Sequence, residues 1–148
     1  DVLKLWLAWH HHGDDGFAAR IDHAVDMADH VRRRIAASDG AFATLVSGTF
    51  TNVVFAWIPE ADRPLDFADT PVSELPTELF NRLHALPPAI KAEMQAAGTA
   101  MVGFQPVEGL NTFRMLFMNP AVTTDDVDAM LDLIAEYGQA AVERSELH

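Results

Sequence analysis

The chain has no cysteine and only two lysines, Lys4 and Lys91. The first absence excludes a disulfide framework, a thiolate metal centre and a cysteine nucleophile. It also fits a reducing compartment, so a cytoplasmic location is expected. The second leaves any lysine-dependent chemistry two positions. Long apolar runs are missing too: the opening stretch around Val2, Leu3, Leu5, Trp6 and Leu7 is too short for a signal core or a membrane span. No initiator Met and no positively charged leader precede it, and a helical pattern already under way at Asp1 suggests a piece of something longer. Basic side chains are few, 10 against 22 acidic ones, for a net charge of -12. Such a surface repels phosphate backbones, which argues against nucleic acid as a partner. No membrane association is expected either.

What remains is ordinary globular material. With 148 residues, 49% hydrophobic and 22% charged, the chain can bury a real core but makes one domain rather than two. No internal repeat or low-complexity linker divides it.

Residues 1–12 read as a helix broken at Gly13, and a longer helix follows from Asp14 or Asp15. Its apolar stripe is Phe17, Ile21, Ala24, Val25, Ala28, Val31 and Ile35, with Ser38-Asp39-Gly40 as the stop. Strands are expected at 42–46 and 52–58, with a turn at 47–49 between them. The proline-rich residues 59–76 read as a surface connection. Helical patterns at 77–86 and 88–97 are separated by Pro87-Pro88, and Gly98 ends the second. Strands at 99–105 and 112–118 flank a turn region at 106–111. Thr123-Thr124-Asp125-Asp126 then caps a last helix with Val127, Met130, Leu131, Ile134, Tyr137 and Ala141 inward. Short connections pair strands antiparallel, so the expected fold is α+β: a small four-stranded antiparallel sheet with helices on one face.

Candidate chemistry is sparse. His10-His11-His12 look metal-binding, but consecutive helical residues point about 100° apart and do not converge on one ion. Asp22, His23, Asp26, Asp29 and His30 lie opposite the apolar stripe, where a helix needs polar residues anyway. Arg32-Arg33-Arg34 fan out around their helix, with Arg32 near the stripe and its stem along apolar surface. Phe42, Phe50, Phe55, Trp57 and Phe104 read as core aromatics of the strands. No phosphate-cradling glycine loop, Ser-His-Asp spacing or HExxH motif is present.

Arg114 stands apart. The strand Thr112-Phe113-Arg114-Met115-Leu116-Phe117-Met118 is almost wholly apolar around it. Alternation places Arg114 with Thr112, Leu116 and Met118, and Phe113, Met115 and Phe117 opposite. A guanidinium on so apolar a strand is costly unless a carboxylate or phosphate accepts its fork. The plainer alternative is an arginine at a sheet edge, or in a structural ion pair with one of the many acids.

Several segments together resemble the C-terminal part of the group II pyridoxal-phosphate-dependent amino-acid decarboxylases, above all the glutamate and cysteine-sulfinate enzymes. Asp1-Val2-Leu3-Lys4-Leu5-Trp6-Leu7-Ala8-Trp9, followed by Gly13 and Gly16-Phe17, resembles their Asp-x-x-Lys-x-Trp helix and the helix after it. Thr51-Asn52-Val53-Val54-Phe55-Ala56-Trp57-Ile58-Pro59 is similar to their Thr-Asn-Val strand. Met101-Val102-Gly103-Phe104-Gln105-Pro106 is similar to Met-Val-Gly-Tyr-Gln-Pro, with Phe104 where tyrosine is usual. Asn111-Thr112-Phe113-Arg114-Met115 and Asn119-Pro120-Ala121 resemble Asn-Phe-Phe-Arg-Met and Asn-Pro-Ala. The likeness runs in order from Asp1 to about Gln139.

The resemblance implies the small C-terminal domain of a fold-type I enzyme, residues 14–148, preceded by a linking helix, 1–13, from a large domain that holds pyridoxal 5'-phosphate. It implies a decarboxylase, a homodimer, and an amino-acid substrate that is acidic, such as glutamate or cysteine sulfinate. The family's Schiff-base lysine follows a histidine; Lys4 follows Leu3 and Lys91 follows Ile90, so neither matches. The chain alone is therefore expected to lack the catalytic lysine, any cofactor-binding residue and activity. Arg114 stands at a position that resembles that of the substrate-carboxylate arginine of the glutamate enzymes. Aromatic-amino-acid relatives carry an arginine at a similar place, so Arg114 does not by itself define an acidic substrate. The rival expectation is a non-catalytic dimerisation or small-carboxylate-binding module.

Overall fold

A computed structural model describes residues 1–48 and 50–146, with only the backbone described at Glu146. Thr49, in the expected turn, and the last two residues of the expected small domain lie outside the described residues.

Helix α1 (Val2–Ala36) is interrupted at Gly13, whose φ of 67° and ψ of -179° leave the helical region. That backbone favours glycine, so the break expected from sequence has a steric cause. It folds the first segment so that Trp9 stacks on Phe17 at 4.5 Å and donates its indole N–H to Asp14 at 2.6 Å. Beyond the break the buried face is Ala24, Met27, Ala28, Val31 and Ile35. The stripe expected from sequence is rotated at its beginning, because Ile21 is exposed and Phe17 only half-buried. Contact with the sheet starts further along, leaving those positions without an apolar neighbour to cover them.

Strands β1 (Phe42–Thr44), β2 (Asn52–Trp57), β3 (Gly103–Val107) and β4 (Leu110–Leu116) form one antiparallel sheet in the order β1-β2-β4-β3. The fold is the expected α+β sheet. Boundaries moved: β1 ends at Thr44 rather than Val46, β4 runs from Leu110 to Leu116 rather than over 112–118, and β3 begins at Gly103 rather than Thr99 and continues through Pro106 and Val107. The turn is Glu108-Gly109 alone, both with positive φ, 50° and 85°. Two such residues make the tight hairpin whose twist suits antiparallel strands. Pro106 is tolerated because β3 is an edge strand, where a missing N–H interrupts no ladder.

Helix α2 (Thr77–Ala97) runs straight through Pro87 and Pro88, where sequence pattern placed a break. A helical proline leaves the carbonyl four residues earlier without its N–H partner. For Pro88 that carbonyl belongs to His84, and it accepts instead from the Asn111 side-chain amide of β4 at 2.9 Å. Asn111 also donates its backbone N–H to His84 Nδ1 at 3.2 Å. Tertiary contact thus replaces a bond that the helix cannot make.

Helix α3 (Thr124–Glu146) starts as expected. Thr123 Oγ1 accepts from the Asp126 N–H at 3.2 Å, and Asp126 Oδ2 accepts from the Thr123 N–H at 2.9 Å, a reciprocal capping box. The carboxyl of Asp126 is held below its ordinary range by those bonds to Thr123.

Phe55, Phe113, Ile90, Met94, Leu131 and Ile134 are the fully buried centre, where β2 and β4 meet α2 and α3. Residues 59–76 are more than a surface connection. They contain two short 3-10 turns, Glu60–Asp62 and Val72–Glu74, and they bury Phe67 and Val72 in the core cluster. Prolines hide the period that would have announced those anchors. Among the described residues no helix is long and apolar enough to cross a membrane.

Candidate functional site

Strand β4 delivers Arg114 by alternation. Phe113, Met115 and Phe117 point into the core and are buried, while Arg114, Leu116 and Met118 are exposed. Thr112 departs from this pattern: it shares the Arg114 face yet is fully buried, its hydroxyl donating to the Gln105 carbonyl at 3.0 Å. In register, Arg114 lies opposite Val54 on β2 and Gly103 on β3.

The guanidinium is open to solvent, so desolvation does not force a partner upon it as the apolar strand suggested. Its contact is modest: Nη1 donates to Gln105 Oε1 at 3.3 Å. Among the described residues no carboxylate pairs with it, although the chain carries 22 acids. The remaining donors of the fork are available for a two-oxygen ligand.

Because Gly103 pairs with Arg114, Met115 and Leu116 extend beyond the start of β3. A groove of about 370 Å³ opens at that uncovered edge, lined by Met101, Gly103, Arg114, Leu116, Val122, Asp126 and Met130 among others. Asp126 is committed to the helix cap and faces the groove as a hydrogen-bonded carboxylate. The loop bearing Val122 is tied to α1 by His23 Nε2, 2.8 Å from the Val122 carbonyl oxygen.

The other sequence candidates lie elsewhere. His30 Nε2 and Arg34 Nε share Asp128 Oδ1 at 2.8 and 2.9 Å, joining α1 to α3. Asp29 binds Arg32 at 2.7 Å, and Arg32 also donates to the Phe50 carbonyl at 2.6 Å. These residues serve as ties between elements, and the second surface of α1 is less free than its polar pattern suggested. His10 stacks on Trp6, and the His12 ring is held below its ordinary range by desolvation, with Arg20 and His11 adding to it. No group of three metal-ligating side chains comes together among the described residues. Phe55 and Trp57 are core, as expected, but Phe50 is exposed because its segment lies outside the sheet.

Neither lysine borders the groove. Lys4 Nζ is 3.2 Å from Asp1 on an exposed turn, and Lys91 Nζ lies 5.5 Å from the centre of the Phe104 ring. The side chains around Arg114 therefore do not fit a pyridoxal phosphate site: they offer no lysine for its aldehyde and no glycine loop for its phosphate.

Sequence pattern singled out Arg114 and missed its neighbours. Gly103 and Gln105 stood in a quoted motif, two apart and so on one face, but only the β3–β4 register places that face beside Arg114.

Comparison with solved structures gives the class first. No family model matches the chain. Mouse CSAD in its apo form matches 93% of it at 32% identity, with a TM-score of 0.78. The glutamate decarboxylase domain of a Vibrio parahaemolyticus diaminobutyrate-pyruvate transaminase and L-2,4-diaminobutyrate decarboxylase matches 92% at 20% identity, TM-score 0.67. Oryza sativa TDC with PLP and tryptamine matches 94% at 17% identity, TM-score 0.69. The four-stranded sheet and its helices are the small domain of a fold-type I pyridoxal-phosphate enzyme.

The chain spans only about a quarter of the proteins it matches: 28%, 25% and 26% of these three. These neighbours are group II pyridoxal-phosphate-dependent decarboxylases, and the chain is similar to a part of them, consistent with a C-terminal part.

Proposed function

We propose that this chain is the small domain of an amino-acid decarboxylase and that Arg114 grips a carboxylate of the substrate. The single observation carrying this reading is an exposed guanidinium beside a groove, bonded to an amide and, among the described residues, paired with no carboxylate, in a chain with acids to spare. An acidic amino acid, glutamate or cysteine sulfinate, is supported by the in-order likeness of the motifs to the enzymes acting on those substrates.

Residues 1–13 are the link to a large domain, and 14–148 are the small domain. The link exposes Val2, Leu3, Leu5, Trp6 and Leu7 on several sides of one helix, an apolar surface suited to cover by that domain and by a second copy in a homodimer. Exposed Met101, Leu116 and Met118 around Arg114 offer apolar surface that supports closure of the large domain there. That domain holds the pyridoxal phosphate and supplies the lysine, so this chain alone is inactive. The assembly works in the cytoplasm, a reading supported by the absence of cysteine from this chain.

The test is Arg114→Lys in the complete protein. A point charge replaces a two-pronged donor, and kcat/KM should fall about 10–100-fold. Unchanged kinetics would remove Arg114 from the site. Cofactor absorbance and carbon dioxide release from glutamate by the chain on its own would overturn the division of labour between domains.

A further inference from the structure

We infer that strand β3 sets the reach of Arg114, with Gln105 as a positioning residue for the guanidinium and Gly103 keeping open the space that a small carboxylate enters. The inference rests on the reading of Arg114 as the substrate grip and adds how that grip is aimed.

Gln105 and Gly103 are two apart on β3, so both side-chain directions fall on the Arg114 face. Arginine has no acceptor atom, so it is the amide oxygen of Gln105 that faces Nη1, at 3.3 Å. That contact uses one N–H and leaves the positive charge uncompensated. A glutamate of the same length would form an ion pair there and occupy the fork. The Gln105 amide also carries two N–H donors of its own. Amide and guanidinium together thus present donors to one carboxylate.

Gly103 has no conformational reason to be glycine. Its φ is not among the positive values of this backbone, and a Cβ added there would meet only the Arg114 carbonyl oxygen, at an ordinary 3.5 Å. Glycine inside a strand weakens it relative to alanine, and such a position marks close approach of a ligand or another backbone. Directly opposite Arg114 in register, that unfilled space opens into the groove that Arg114 also lines.

The experiment measures binding and turnover of L-glutamate and L-cysteine sulfinate in the complete protein, comparing wild type with Gln105→Leu, Gln105→Glu, Gly103→Val and Arg114→Lys. Gln105→Glu should raise KM about tenfold or more, with kcat changed much less, because its carboxylate competes for the fork. Gln105→Leu should raise KM by a smaller factor, and Gly103→Val should raise it by filling the space. Thermal midpoints close to wild type separate these effects from misfolding. If both Gln105 variants and Gly103→Val leave KM within about twofold while Arg114→Lys raises it, the inference is overturned and the grip stands. If Arg114→Lys is also silent, or wild type binds and turns over neither L-glutamate nor L-cysteine sulfinate, grip and aiming fall together.

Discussion

Asn111 donates its side-chain amide to the His84 carbonyl at 2.9 Å, filling the place of the N–H that Pro88 lacks. The two residues are 27 apart in sequence, and their contact joins β4 to α2 in mid-helix. It keeps α2 whole across Pro87-Pro88.

Asn111→Ala should cost about 1 kcal/mol, as for losing a hydrogen bond to a partly buried acceptor. In a Pro88→Ala background the helix regains an N–H for His84, so the same change should cost less. Urea unfolding of the four proteins measures the coupling. Equal costs in both backgrounds would show that Asn111 does not stand in for the missing bond.

Gly138 of α3 packs against Trp57. A Cβ there would lie 2.7 Å from Trp57 Cε3, too close without a shift of the indole or the helix. Gly138→Ala should therefore destabilise by about 1–3 kcal/mol despite its better helix propensity. A raised unfolding midpoint would mean the indole moves aside freely.

The α1–α3 tie has a definite pH signature. Asp128 is held below its ordinary carboxylate value of 3.8, first by its hydrogen bond from His30, with Arg34 adding to it and desolvation opposing. A carboxyl depressed in the folded state stabilises above its unfolded value, and that gain fades as pH falls through the folded one. Asp128→Asn should lower the thermal midpoint at neutral pH, and the difference from wild type should shrink below about pH 4. A difference independent of pH would assign the effect to packing.

Deleting residues 1–12 should leave the stability of the remainder nearly unchanged, within about 1 kcal/mol, since none of those side chains is buried. Thermal unfolding of the shortened chain checks this. A large drop would show that the first segment belongs to the same cooperative unit as the sheet, against the proposed boundary at 13 and 14.

Much of this protein was legible in local pattern. The break at Gly13, the Thr123–Asp126 box and the alternation that sets Arg114 apart from Phe113 and Met115 are decided by residues a few positions away, so the amino-acid order alone determined them. The run of motifs from Asp1 to Gln139 likewise carried the kinship with group II decarboxylases. Tertiary structure alone decided that α2 survives two prolines, that Phe67 and Val72 return to the core, and that Gly103 and Gln105 meet Arg114. In each case a backbone group or a face is satisfied by a distant partner, and strand register or helix packing chooses that partner. Exposure was decided the same way. An arginine on an apolar strand is costly only if something covers it, and here Arg114 itself stays open to solvent although Thr112 on the same face is buried.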